Sequence, residues 1–396
     1  MTRAEWLQVP VGLDAPRWVT RPGLLNVLVV VHTVTSGQRL LEVIELVERD
    51  PRLQVTFVQA PDVFSNGVDD FLRSTGGLVL QWDQVIRERF DLAVAAGYGG
   101  LQHLHAPLLV VPHGAGFGKT HSGTSAVYGL DAQRLIHNGR ILPDAVVLSH
   151  EDQLEVLRAQ CPQAVDAAVV AGDPGYDRMV ASLPHRDRYR EALDIRPEQS
   201  LVVVSSTWGG QSLFGRCAEL FPRLLDELPS RYRVAALMHP AVWFGHAPRQ
   251  IRSWLADCVD AGLVVIGPHV DWRAAVVAAD LVVGDHGSVP VYASAIGTPV
   301  VLVDPGLQAV TASGSPQDLL RHNAVTYHHA SSLPTMFEEA RARSERLREG
   351  VVERLTSRPG RSTTLIREAM YRLLGVPVQG KHRAPAPVTV TPEECR

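Results

Sequence analysis

The segment VVPHGAGFGKT (110–120) gathers His113, three glycines and Lys119 at the end of an apolar run. A histidine titrates near neutral pH and can take a proton from a hydroxyl; a lysine can hold an anion. The loop resembles a phosphate loop, but Walker A needs G-x-x-x-x-G-K-[ST], and Gly114 stands one residue too close to Gly118. The stretch after Thr120 holds Gly123 and Gly129 and makes a poor crossover helix. We read the segment as a cleft-facing loop in which His113 and Lys119 do chemistry; a glycine-rich surface loop whose histidine bonds locally is the competing explanation. Only Lys119 and Lys381 are lysines among the 38 basic residues. Arginine-rich usage accounts for most of that bias. Yet a compact point charge is written inside this loop where a flat guanidinium fork is written almost everywhere else.

Four further segments carry polar groups at apolar run ends. In AGDPGYDRM (171–179), Gly172, Pro174 and Gly175 make a tight turn, and Asp177 and Arg178 open a helix, with Asp177 read first as a cap. In VVVSSTWGG (202–210), Ser205, Ser206 and Thr207 supply hydroxyls, and two glycines let a ligand approach the backbone; a plain turn explains them equally. In ALMHPAVW (236–243), His239 stands at a strand end, kept out of the helix by Pro240. The richest is VVGDHGSVPVYASAIGTPVVLVD (282–304). Here Ser288 reads as an N-cap, Pro290 lies in the first turn, and Gly297 ends the helix. A helix N-terminus beside His286 is a ready anion site that fits a diphosphate. A capped crossover helix would explain Ser288 and Pro290, but not why Asp285 and His286 stand together at its mouth.

These segments need strands to present them. Val-rich runs alternate with amphipathic stretches from Leu24 onward, the first ending at His32. Strand–helix alternation restarts after the charged segment 185–200, giving about ten strands. That pattern means parallel sheets with crossover helices. The expected architecture is α/β: two Rossmann-like doubly wound domains, 24–185 and 190–375, facing across a cleft. Ligands in such sheets bind beyond the carboxyl ends of the strands. Residues 1–22 read as an irregular lead-in, 336–356 and 361–374 as closing helices, and 376–396 as a disordered tail.

Composition bounds the function. The chain has 396 residues, is 45% hydrophobic and 20% charged, and carries a net charge of −4, against the basic field that general nucleic-acid binding needs. No apolar run approaches a membrane span, and the N-terminus lacks a secretory signal's apolar core. Four dispersed cysteines without C-x-x-C read as free thiols in a reducing compartment. The expected location is cytoplasmic, with peripheral membrane association an open alternative.

In order and content the five loops resemble the CDP-glycerol glycerophosphotransferase (teichoic-acid polymerase) family, which has the two-domain GT-B fold. The matching elements are His113-Gly114 with Lys119 six residues on; Gly172, Pro174 and Asp177; Thr207-Trp208; His239-Pro240; and Asp285, Ser288, Val289, Gly297, Pro299 and Val300. They span roughly 100–305. The resemblance implies a transferase that requires no metal and no cofactor. It moves a glycosyl or polyol-phosphate group from a nucleotide-diphosphate donor to a hydroxyl. His113 would be the base and Lys119 a phosphate or acceptor contact. His239, His286, Gly287 and Ser288 would hold the diphosphate, with Asp285 and Thr207 lining the donor site. His32, Gly114 and Asp177 stand as acceptor-side candidates. The chain departs from the family at Tyr292, where an acidic residue grips the ribose in related enzymes. Partners are then a small-molecule donor and acceptor, with a homodimer an open alternative. Two other readings remain: a non-hydrolysing sugar-nucleotide 2-epimerase, and a GT-B domain that binds nucleotide or a partner without catalysis.

Overall fold

The computed structural model describes residues 19–121, 123–303, 311–381 and 384–390. The readings made for 1–18, for the end of the last strand run beyond 303 and for Cys395 lie outside the described residues. Contacts divide the chain into two units. The first comprises Met1–Gly116, Tyr128–Gly172 and Gly360–Ala384; the second comprises Phe117–Val127, Asp173–Pro359 and Pro385–Arg396.

The first unit is built on β1 (Leu25–Val31), β2 (Leu53–Gln59), β3 (Val79–Leu80), β4 (Leu92–Ala95) and β5 (Leu108–Val110). A small antiparallel ribbon follows, β6 (Ile136–His137) and β7 (Arg140–Ile141), then β8 (Ala145–Leu148) and β9 (Ala168–Val170). The sheet is parallel throughout, in the order β3-β2-β1-β4-β5-β8-β9. Val27 to Val31 are fully buried, which is why β1 is an unbroken apolar run rather than an alternating one. Strand order reverses between β1 and β4, where the carboxyl ends open a crevice. The helix Val34–Ile44 follows. Thr33 caps it, and Ser36 returns a bond to the cap backbone, closing two otherwise orphan N–H groups.

The second unit repeats the plan with β10 (Ser200–Ser206), β11 (Tyr232–Met238), β12 (Val264–Ile266), β13 (Leu281–Gly284), β14 (Val300–Leu302) and β15 (Val325–Thr326). Its six parallel strands run β12-β11-β10-β13-β14-β15, so the reversal falls between β10 and β13. Phe221, Leu224, Trp243 and Phe337 fill the core on one side. Thirteen strands thus lie in the two parallel sheets, against about ten expected. Most of the difference comes from two- or three-residue strands, which leave no apolar run to read.

The sequence placed the domain boundary near 185–190; contacts divide the chain after Gly172. The closing helix, Ser362–Leu374, belongs to the first unit. The Arg367 guanidinium donates to the Leu46 carbonyl (3.0 Å), and the Tyr371 hydroxyl to Asp50 (2.7 Å). The expectation of a disordered tail is corrected for 384–390. Val388 and Val390 are buried, the Val388 N–H donates to Ser182 Oγ (3.0 Å), and its carbonyl accepts from the Tyr189 hydroxyl (2.8 Å). Proline-rich composition hid two valines that pack. Cys161 and Cys217 are buried free thiols. Among the described residues no helix is long and apolar enough to cross a membrane.

Candidate functional site

At the β10/β13 reversal Asp285 organises the loops. Its Oδ2 accepts from the Thr207 N–H (2.9 Å), the Thr207 hydroxyl (2.7 Å) and the Leu213 N–H (2.9 Å), and its Oδ1 from the Gly287 N–H (3.2 Å). The carboxylate is buried and fully engaged by this chain. Asp285 therefore positions the loops that follow β10 and β13. Ser206 assists: its hydroxyl accepts from the Phe214 N–H (2.9 Å).

Helix Ser288–Ala295 starts from this clamp. Its N-cap is Gly287, in extended conformation, and makes no side-chain cap bond. The reading of Ser288 as the cap is corrected: Ser288 is the first helical residue, and Pro290 the third. Glycine is required at the cap by space, because a Cβ on Gly287 would come 2.7 Å from the Thr207 methyl. Backbone N–H groups at such an end carry the positive pole of the helix.

Two bases flank it. His286 is half-buried, and its Nδ1 is buried with no hydrogen bond among the described residues. Burial lowers its pKa, the Asp285 carboxylate opposes, and the Lys119 ammonium pushes the same way as burial. Lys119 arrives on the segment Phe117–Val127. It forms an antiparallel bridge with Thr311, and the Ala312 N–H donates to the Gly118 carbonyl (3.0 Å). Desolvation lowers the Lys119 pKa, and Asp285 opposes. Both bases are thus held below their ordinary values, a condition that an entering anion would reverse. His239 caps helix Pro240–His246, its Nδ1 accepting from the Ala241 N–H (3.1 Å), so the ring proton sits on Nε2. Pro290, Val291, Leu302, Val303 and Leu320 form the apolar part of an adjoining cavity of about 180 Å³, into which His286, Thr311, Arg321 and His322 also project.

In the first unit, His113 follows β5. Its Nδ1 lies 3.1 Å from the Ala96 carbonyl. A carbonyl accepts only from a protonated nitrogen, so the proton sits on Nδ1 and Nε2 carries the basic lone pair. His32, just past β1, is buried; its Nε2 bonds the Gly99 carbonyl (2.8 Å), and burial holds its pKa down. A Cβ on Gly97 would come 2.9 Å from that ring, so the post-β4 loop is fitted to His32 while it tethers His113. In the loop after β5, glycine is required at Gly116: its φ is +62°, and a Cβ there would strike Gln153 and Ser149.

The structure corrects two further readings. Asp177 is not the cap of helix Pro174–Ser182; Asp173 is, accepting from the Tyr176 N–H (2.9 Å). Asp177 lies in the first turn, buried, and belongs to the second unit. The Asp-Pro dipeptide, an acid just before a first-turn proline, was the signal for Asp173. Tyr292 is buried, and its hydroxyl donates to both Asp173 oxygens (3.0 Å each), with Trp272 against its ring (centroids 5.4 Å). The residue that departs from the family pattern therefore ties two helices together. Thr311, Arg321 and His322 escaped the sequence reading because nothing near them reads as a strand end.

No family model and no curated protein sequence matches the chain. Solved structures do. Wall teichoic acid polymerase TagF is 12% identical with a TM-score of 0.61, over 89% of this chain and 89% of that one. The S. aureus MnaA–UDP co-structure is 14% identical with a TM-score of 0.57, over 92% of this chain and 100% of that one. The chain has the GT-B fold. A Listeria monocytogenes protein proposed to be a UDP-N-acetylglucosamine 2-epimerase is also similar, 14% identical with a TM-score of 0.55, over 93% of this chain and 100% of that one. Within this GT-B chain, Asp285, Thr207, His286, Gly287, Ser288 and Lys119 all belong to the second unit, and His32, His113 and Gly114 to the first.

Proposed function

We propose that this GT-B protein is a transferase that moves a glycosyl or polyol-phosphate group from a nucleotide-diphosphate donor to a hydroxyl acceptor. The observation that carries the reading is the Asp285 clamp. It fixes the cap of helix Ser288–Ala295 next to His286, with Lys119 in electrostatic reach of both Asp285 and His286, at the strand-order reversal where such sheets bind ligands.

The donor diphosphate lies at the positive end of helix Ser288–Ala295, beside Gly287 and Ser288, with Lys119 and His286 neutralising charge and His239 and Thr207 lining the site. His113 Nε2 takes the proton of the acceptor hydroxyl as its oxygen attacks the transferred group. The bond to the donor's phosphate oxygen breaks, and the negative charge that develops on the leaving nucleotide falls on the helix N-terminus and the two bases. Neither metal nor cofactor enters this scheme.

Calorimetric titration with UDP-, CDP- and GDP-linked donors tests the reading. One of the three should bind with one site per chain; a folded protein that binds none would overturn it. A second reading, an epimerase, draws on the similarity to the Listeria monocytogenes protein proposed to be a UDP-N-acetylglucosamine 2-epimerase, over the whole length of that chain. The burial of Tyr292 against Asp173 leaves no acid at that position for a ribose, which weighs against it. Epimerised product from UDP-N-acetylglucosamine without acceptor would favour it.

A further inference from the structure

His32 follows β1 in the first unit and takes no part in the scheme above. It is 2% exposed, too deep to touch a substrate. Its backbone N–H donates to Ser36 Oγ (3.2 Å), which fixes where the side chain starts. Its Nε2 donates to the Gly99 carbonyl (2.8 Å), so the ring proton sits on Nε2 and the lone pair on Nδ1. That Nδ1 is buried with no hydrogen bond among the described residues. Leaving an acceptor unpaired in a core costs stability that an apolar side chain would not lose. Burial lowers the ring's pKa, against the Gly99 bond and the Asp62 carboxylate, so the ring is neutral at pH 7. A neutral, buried, half-satisfied histidine has to be explained by what its other nitrogen holds.

It holds the loop after β4, residues 96–100. At one end Ala95 is fixed, its carbonyl accepting from the Val111 N–H (2.9 Å). Two residues on, a Cβ on Gly97 would stand 2.9 Å from Cγ and Nδ1 of His32. The Ala96 carbonyl and the Gly97 Cα share one rigid peptide plane. That carbonyl is the one bonded to His113 Nδ1 (3.1 Å). Gly99 adds a second grip: its carbonyl takes the Nε2 proton, and a Cβ there would come 2.7 Å from the Pro61 carbonyl. The peptide that fixes the His113 tautomer thus lies between strand pairing on one side and the His32 ring on the other.

We propose that His32 is a positioning residue for His113: by gripping Gly97 and Gly99 it orients the Ala96 carbonyl, which keeps the proton of His113 on Nδ1 and the lone pair on Nε2. The functional part of this rests on the reading of His113 as the base. Without the grip the Ala96–Gly97 peptide tilts and its bond to Nδ1 weakens. The His113 proton then moves to Nε2, the nitrogen that has to take the hydroxyl proton. His32 is in this account an internal brace rather than an acceptor contact.

The test reads the tautomer directly, by two-bond proton–nitrogen correlation NMR of the imidazoles in the full-length, histidine-labelled chain. It is run above about pH 8, where an imidazole is neutral, with His113→Gln identifying the signal. The parent should show His113 protonated on Nδ1. His32→Leu, which has no donor, should lose that pattern in favour of Nε2 protonation. His32→Gln, which can still donate to Gly99, should keep most of it. Gly97→Ala crowds the ring with His32 in place and should shift the tautomer in the same direction. Nδ1 protonation retained in a folded His32→Leu would overturn the proposal, as would an equal loss in His32→Gln. Should His32→Leu not fold, retention in Gly97→Ala would overturn it. The measurement needs neither donor nor acceptor, so it stands or falls separately from the base assignment, which His113→Gln tests through kcat.

Discussion

His286 and Lys119 share one electrostatic problem. Desolvation disfavours their charged forms, for His286 by burial and for Lys119 although its side chain reaches solvent, and the helix N-terminus next to His286 adds positive potential. The free protein therefore holds His286 with a pKa below the usual imidazole value, neutral at pH 7. An anionic donor raises that pKa, so binding takes up a proton as the pH falls toward the free-state value. The sign follows: donor affinity should rise as pH falls from 7.5 through the range below 6.5. Calorimetry in buffers of different ionisation heats should show net proton uptake, and His286→Asn should reduce it. Proton release, or affinity that falls over this range, would contradict the assignment. At this scale the sequence was informative about types and reticent about roles. Asp285 and His286 were legible as a pair at a helix mouth. That Asp285 spends all its bonds on the clamp was not legible, because Thr207 and Leu213 lie more than seventy residues away in the chain.

Elements were legible where an apolar run or a cap pair marks them, as in β1 and β10, and obscure where tertiary contacts decide. Helix Ser288–Ala295 shows both. Its span was readable from Pro290 and Gly297, but its anchor was not. Tyr292 sits in a buried bond to Asp173, which in turn caps helix Pro174–Ser182. Tyr292→Phe removes a donor from a buried carboxylate, at a cost of about 1.5–3 kcal/mol. The melting temperature of the second unit should drop by several degrees while donor affinity stays within twofold. A donor affinity lowered tenfold at unchanged stability would instead place the hydroxyl on a ligand. The tail teaches the same lesson. Pro-rich composition argued for disorder, and Val388 and Val390 escaped notice because two valines make no period.

At the scale of the whole molecule, two reversals of strand order, one in each sheet, were foreshadowed by the restart of strand–helix alternation near 200. The chain's further crossings were not: Phe117–Val127 joins the second unit, Ser362–Leu374 the first, and the tail from Pro385 the second again. An amphipathic helix states which face is apolar, never which sheet it will cover. Under the proposed function the units divide labour, with a base at His113 in the first and an anion cradle at 285–288 in the second. Ser288→Pro isolates the cradle. Gly287 before it is already extended, with φ −75° and ψ −179°, and the first helical position tolerates proline, so the variant should fold and lose chiefly one N–H and a hydroxyl. His113→Gln isolates the base and should lower kcat by about 10²–10⁴. The most direct measurement is donor affinity by calorimetry in these two variants beside the parent. The expected result is parental affinity in His113→Gln and a loss of tenfold or more in Ser288→Pro. Undiminished binding in Ser288→Pro, or an equal loss in His113→Gln, would contradict the division.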